Sequence, residues 1–264
     1  MIDEHLTPVA QWGIRPILFR VGELAVPAYG FFVALGLLLG IGLFTILIRG
    51  HSKDRGRHAP VIAVSALVGG VIGAKLPLWI LNAPQIWAAF PDMSPFLSGR
   101  TIVGGVIGGM LAVTYVKTLL GEKHRFGNAF APALALGLVV GRIGCFLQGC
   151  CYGTETVLPW GVNFGDGVLR HPTQMYEALL GLGLLAAFFS MGRRHAREGL
   201  YFDIFLIAYF GFRFLEEFLR EGHALYFGFS GYQWGALLVL TFVSVRLKRA
   251  RLFTCPDAEG RQAL

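Results

Sequence analysis

Seven apolar runs, separated by short polar segments, organise the chain; they lie near residues 26–48, 61–81, 102–120, 128–147, 173–191, 200–218 and 231–247. Each approaches the roughly 20 residues that an α-helix needs to cross about 30 Å of hydrocarbon. The pattern predicts an all-α polytopic membrane protein with about seven transmembrane helices, forming a single transmembrane domain over residues 1–264. Residues 1–25 precede the first span, and 248–264 form a tail after the last. The opening MIDEHLTPVAQWGIRPI lacks the basic start, apolar core and small-residue cleavage site of a signal peptide. It reads as a retained segment lying along the outer surface.

Composition agrees with this pattern. Of the 264 residues, 55% are hydrophobic and 15% charged, against about 25% charged in soluble domains; the mean hydropathy is +0.59. The net charge of +7 is explained by orientation, since fifteen of the 23 Lys and Arg residues fall in alternate connections and the C-terminal tail, and five on the opposite side. Cytoplasmic loops collect Lys and Arg, so the N-terminus is expected outside and the C-terminus in the cytoplasm, with no nucleic-acid partner. The cysteines, three of them within residues 145–151, do not form the spread framework of a secreted disulfide scaffold. Cys145, Cys150 and Cys151 follow C-x4-C-C, which matches no standard zinc spacing, so neither a metal nor another cofactor is expected. Small residues one helical turn apart in GGVIGAK (69–75) and GGVIGG (104–109) predict close helix packing.

Ionisable residues inside spans carry the functional argument, because each costs a few kcal/mol or more unless paired or facing a watery cavity. Arg142 and Arg213 both fall on the outward half of their spans. An arginine fork suits phosphate, and a pair at outer-leaflet depth would hold a phospholipid head group. The structural alternative is an internal ion pair with Glu177, Glu216 or Glu217. Helical spacing puts Arg213, Glu217 and Arg220 on one face, as a charged ladder from the surface to the buried arginine. Lys75 reads as a snorkelling or paired side chain. In RHPTQMYE, Pro172 suits a first helical turn, Gln174, Tyr176 and Glu177 enter the span as polar residues, and His171 sits near the interface. Tyr29, in VPAYGFF, has an ordinary reading as an aromatic anchor.

GRIGCFLQGCCYG, HPTQMYE and RFLEEFLR, in that order, resemble the motifs of the bacterial prolipoprotein diacylglyceryl transferases, and the resemblance runs from VPAYGFF through GRTIVGGVIGG to the last span. It implies an enzyme of the bacterial plasma (inner) membrane that moves the diacylglyceryl group of phosphatidylglycerol onto the lipobox cysteine of prolipoproteins. Its partners would be phosphatidylglycerol, prolipoproteins and membrane lipids, without a cofactor. Carried over residue by residue, the resemblance implies catalytic roles for Arg142, Arg213 and Glu217. Substrate contacts are expected from Tyr29, Gly104, Gly105, Gly153, His171, Gln174, Tyr176, Glu177 and Arg220.

Three positions depart from the family pattern. Val103 stands where histidine usually precedes the paired glycines, Cys145 replaces the usual asparagine and Cys150 the usual glutamate. A proton acceptor would then have to be another residue, His171 or Glu217, or the substrate thiol would ionise in the arginine field. The cysteines read equally as small apolar residues or as partners in a bridge between Cys145 and a neighbour, with a transient lipid-accepting thiol as the weaker reading. Cys255, in the tail, looks unrelated. Two other functions stay open: a phospholipid-binding paralogue without this catalysis, and a membrane protein whose function rests on its thiols.

Overall fold

The computed structural model describes residues 14–49, 57–89, 96, 101–122, 124–192, 197–220 and 225–252. Residues 1–13, Arg100 and the tail from 253, with Cys255, lie outside the described residues. All seven apolar runs are helical: α1 (Ala28–Arg49), α2 (Ala59–Leu81), α4 (Ile102–Leu119), α5 (Gly127–Gln148), α6 (Thr173–Ser190), α7 (Leu200–Glu216) and α8 (Gly231–Leu252). A short helix, α3 (Ala83–Ala89), follows α2. Among the described residues, three helices are long and apolar enough to cross a membrane, Ala28–Arg49, Ala59–Ile80 and Gly127–Gln148, with Val103–Leu119 shorter but also apolar.

Apolar side chains face outward along these helices: Leu38, Ile46, Ile80 and Leu111 are largely exposed, whereas Gln174 and Glu177 are fully buried. This distribution suits a hydrocarbon solvent. One apolar cluster gathers α5, α6, α7 and α8 around Leu184, Phe188, Tyr201, Phe205, Phe210 and Val243. A second, with Phe44, Ile48, Ile62 and Phe126, joins α1, α2 and the start of α5.

The glycine spacing produces the closest helix contact in the way expected. A Cβ at Gly73 would lie 2.3 Å from the Gly104 carbonyl oxygen, and one at Gly108 would lie 2.3 Å from that of Gly69. Both collisions are with backbone, so α2 and α4 can approach this closely only without side chains there. Gly104, expected at the substrate, is thus part of the seam, and Gly105 lies beside Gly70, with a Cβ placed 3.4 Å from its carbonyl oxygen.

Three two-stranded antiparallel ribbons precede or join helices: β1 (Ile17–Val21) with β2 (Leu24–Pro27), β3 (Val162–Asn163) with β4 (Leu169–Arg170), and β5 (Leu225–Tyr226) with β6 (Phe229–Ser230). The Arg15 N–H donates to the Leu147 carbonyl at 2.8 Å, fastening the first ribbon's approach to the C-terminal end of α5. There Gly149, with φ 68°, ends the helix in a left-handed turn that turns the cysteine segment back onto it.

A Gly73→Ala variant is expected to lose about 1–3 kcal/mol of stability, as overpacked sites do, and to show a lower melting temperature in detergent. Gly42→Ala, whose added Cβ meets nothing within 4 Å, should be unaffected. Equal melting temperatures for the two variants would refute a close-packed seam.

Candidate active site

The site is built around Glu177, one turn into α6 and fully buried. Pro172 and Thr173 open that helix just after β4, and three turns of apolar neighbours follow. An isolated carboxylate in such a place would be strongly penalised, so its partners decide whether it can stay ionised. Arg142, from the last two turns of α5, places Nη2 2.5 Å from Glu177 Oε2. The Tyr209 hydroxyl of α7 donates to the same oxygen at 3.1 Å. Arg220 donates from Nη2 to Glu177 Oε1 at 3.2 Å and to Thr173 Oγ1 at 3.4 Å.

The charge chain continues. Arg220 Nη2 lies 3.7 Å from Glu216 Oε2, and Arg213 donates to that oxygen at 3.0 Å. Its other amino group lies 2.7 Å from Glu217 Oε2. The Ser230 hydroxyl donates to Glu217 Oε1 at 2.8 Å. Ser230 is held in turn by Gln233, whose Oε1 accepts from the Ser230 N–H at 2.9 Å. The Arg213 guanidinium also sits 5.4 Å from the Tyr232 ring centre. Three arginines and three glutamates therefore form one connected network across α5, α6, the end of α7 and the start of α8.

Arg142, Arg213, Glu177, Glu217 and Arg220, all expected at the site, are brought together. The internal ion pairs weighed against a ligand role also form, so the arginines are neutralised in place. The ladder on one helical face is corrected: α7 stops at Glu216, residues Glu217–Leu219 tighten into a 3-10 turn, and Arg220 is extended. Leaving helical register brings the Arg220 side chain onto Glu177 and Glu216. Among the described residues, Arg213 Nε, Arg220 Nε, Gln174 Oε1 and Glu216 Oε1 are buried without a hydrogen-bond partner. The cluster thus keeps both donors and acceptors unspent.

The other expected residues take distinct places. Gln174 donates to the Cys150 carbonyl at 2.6 Å, and Thr173 to the Cys151 carbonyl at 2.7 Å. Gly153 is where three segments meet: a Cβ there would lie 2.6 Å from the Leu219 carbonyl oxygen and 2.9 Å from both His171 and Thr173 side chains. His171 Nδ1 is 3.1 Å from the Tyr176 hydroxyl, which accepts from Trp160 Nε1 at 2.8 Å. Tyr29 is half-buried at the start of α1. Val103 packs toward α8, where a Cβ on Gly235 would meet its Cγ2 at 2.4 Å.

Cys145 is buried, Cys150 half-buried and Cys151 exposed, and all three are free thiols; the bridge weighed from sequence is not formed. Cys150 and Cys151 sulfurs lie 3.7 Å apart. Hydrogen bonds from Cys145 and Cys150, with the Arg142 and Arg220 charges behind them, hold the Cys151 thiol below the usual thiol range against the opposing effect of partial burial.

Tyr209, Thr173, Ser230 and Gln233 escaped the sequence reading. Ser230 and Gln233, polar and three apart at the entrance to an apolar run, give the same signal as Gln174 and Glu177. Tyr209 lies inside a run rich in aromatics and gives none.

Residues 16–248 match the family model described as prolipoprotein diacylglyceryl transferase. The chain belongs to the prolipoprotein diacylglyceryl transferase family. Among its relatives is the phosphatidylglycerol–prolipoprotein diacylglyceryl transferase of Clostridium tetani, 34% identical over 219 residues, covering 78% of this chain and 86% of that protein. The proteins of the same name from Geobacter sulfurreducens, 34% identical over 80% of this chain and 84% of that one, and Bordetella parapertussis, 34% identical over 79% and 83%, are similarly close. In this family member the ordered motifs read from sequence all converge on the Glu177 network.

Replacing Glu177 with alanine leaves Arg142 and Arg220 buried without their shared carboxylate, which should cost about 3–5 kcal/mol. The melting temperature of the detergent-solubilised protein should fall sharply. A value unchanged from the parent would show that the network does not hold the helices together.

Proposed function

We propose that the chain is a phosphatidylglycerol–prolipoprotein diacylglyceryl transferase with seven membrane crossings, N-terminus outside and C-terminus in the cytoplasm, in the bacterial inner membrane. Family membership and the names of its relatives support the activity. The observation that carries the site assignment is a buried arginine network with Arg213 Nε and Arg220 Nε still free to donate.

In this reading the phosphate of the lipid is received by Arg142 and Arg213, supported by Arg220. The acceptor thiol sulfur attacks the glyceryl carbon, the carbon–oxygen bond to phosphate breaks, and glycerol phosphate leaves with the bonding electrons. The guanidinium groups neutralise the charge that grows on the departing phosphate, where a water-poor surrounding strengthens the effect. The thiol proton passes to a carboxylate or to solvent. Glu217, 2.7 Å from Arg213, orients that arginine. Gln174, Thr173 and Gly153 hold the signature loop against the site.

Val103 favours a second reading. The position that usually offers an imidazole is occupied by a methyl group packed toward Gly235, which suits a protein that binds phospholipid without this chemistry.

The deciding measurement is transfer of labelled glyceryl lipid from phosphatidylglycerol to a lipobox peptide by the purified protein. Arg142→Ala and Arg213→Ala should each reduce turnover by about 10²–10³, the loss seen when one charge-stabilising donor is removed. Turnover retained in both would refute the arginine roles. Phospholipid binding without transfer in the unaltered chain would establish the second reading.

A further inference from the structure

The folded chain gathers what its linear spacing does not suggest. The sulfur atoms of Cys145, Cys150 and Cys151 all lie within 4.8 Å of one another, with those of Cys150 and Cys151 3.7 Å apart. Zinc–thiolate bonds of about 2.3 Å in tetrahedral geometry put neighbouring sulfurs about 3.8 Å apart, so small side-chain rotations complete a three-sulfur face. The C-x4-C-C spacing fails as a zinc motif because such motifs assume a hairpin knuckle. Here the left-handed turn at Gly149 folds the end of α5 back, and the Cys150 N–H donates to the Cys145 carbonyl at 3.1 Å.

The scaffold under the thiols is fixed independently of them. Buried Thr173 and Gln174 hold the carbonyls of Cys151 and Cys150 at 2.7 and 2.6 Å. Cys151 itself adopts a φ of 67°, a conformation uncommon for a residue with a side chain. Both features spend backbone freedom before any ligand arrives.

We propose that Cys145, Cys150 and Cys151 bind one zinc(II) ion through three thiolates, leaving a fourth coordination position for water or an incoming thiol. Charge favours zinc(II) over copper(I). The neighbouring arginines and glutamates already balance three to three. Three thiolates around a divalent ion leave one negative charge beside Arg142 and Arg220, whereas a monovalent ion leaves two. Soft sulfur donors match zinc and exclude magnesium or calcium.

The test is metal retention by the reduced, full-length, detergent-purified chain, a readout separate from lipid transfer and therefore independent of the activity proposed above. After incubation with zinc and removal of excess, about one zinc per chain is expected, as for a single three-thiolate site. Cobalt(II) in its place should give sulfur-to-metal charge-transfer absorption. Cys145→Ser, Cys150→Ser and Cys151→Ser should each abolish retention, while Cys255→Ser should leave it intact. Because a serine variant can misfold, the unaltered chain supplies a second measurement: zinc should protect the three clustered thiols, but not Cys255, from alkylation mapped by peptide mass. No retention, retention unchanged in the three variants, equal alkylation with and without zinc, or capture of copper(I) alone would overturn the proposal.

Discussion

A single buried carboxylate sets the terms for the rest of this molecule. Glu177 has no access to solvent, and a carboxylate there survives only with charge-assisted hydrogen bonds to both oxygens. Arg142 and Tyr209 serve one oxygen, Arg220 the other. Because these partners come from α5, α7 and the segment after the 3-10 turn, satisfying Glu177 fixes the relative positions of three parts of the bundle. Hydrocarbon-facing surfaces supply no such constraint, since lipid and apolar side chains are nearly equivalent neighbours.

The first two turns of α6 therefore act as a joint. Thr173 and Gln174 grip the carbonyls of the cysteine loop, and Glu177, one turn on, grips the arginines. Gly153 lets the loop, the strand leading into α6 and the 3-10 turn pass within van der Waals distance. The loop and the charge network are thus fastened to the same two turns of one helix. The cysteines and arginines belong to one mechanical unit even though they offer different chemistry.

Much of the fold was legible because membrane helices obey a simple length and polarity rule. All seven apolar runs became helices, and the glycine repeats in 69–75 and 104–109 became a seam of close contact. The candidate site was legible where a charge interrupts an apolar run, as at Arg142, Glu177 and Arg213. It was not legible where local geometry breaks a periodicity. Helical spacing puts Arg220 on a face that ends four residues earlier, and the linear spacing of the cysteines gives no sign of the left-handed glycine turn that brings them together. Tyr209 was hidden among aromatics whose ring and hydroxyl roles cannot be separated by pattern.

Val103 and Gly235 are fitted to one another where α4 meets α8. The methyl group of one occupies the volume that a side chain on the other would need, so the pair shares a single allotment of space between α4 and α8. Beside the family's usual histidine, Val103 is a lost proton acceptor. It is equally one half of a steric pair, in which bulk on one helix requires its absence on the other. Changes at the two positions should therefore be non-additive, with the effect of bulk at residue 235 set by what stands at residue 103.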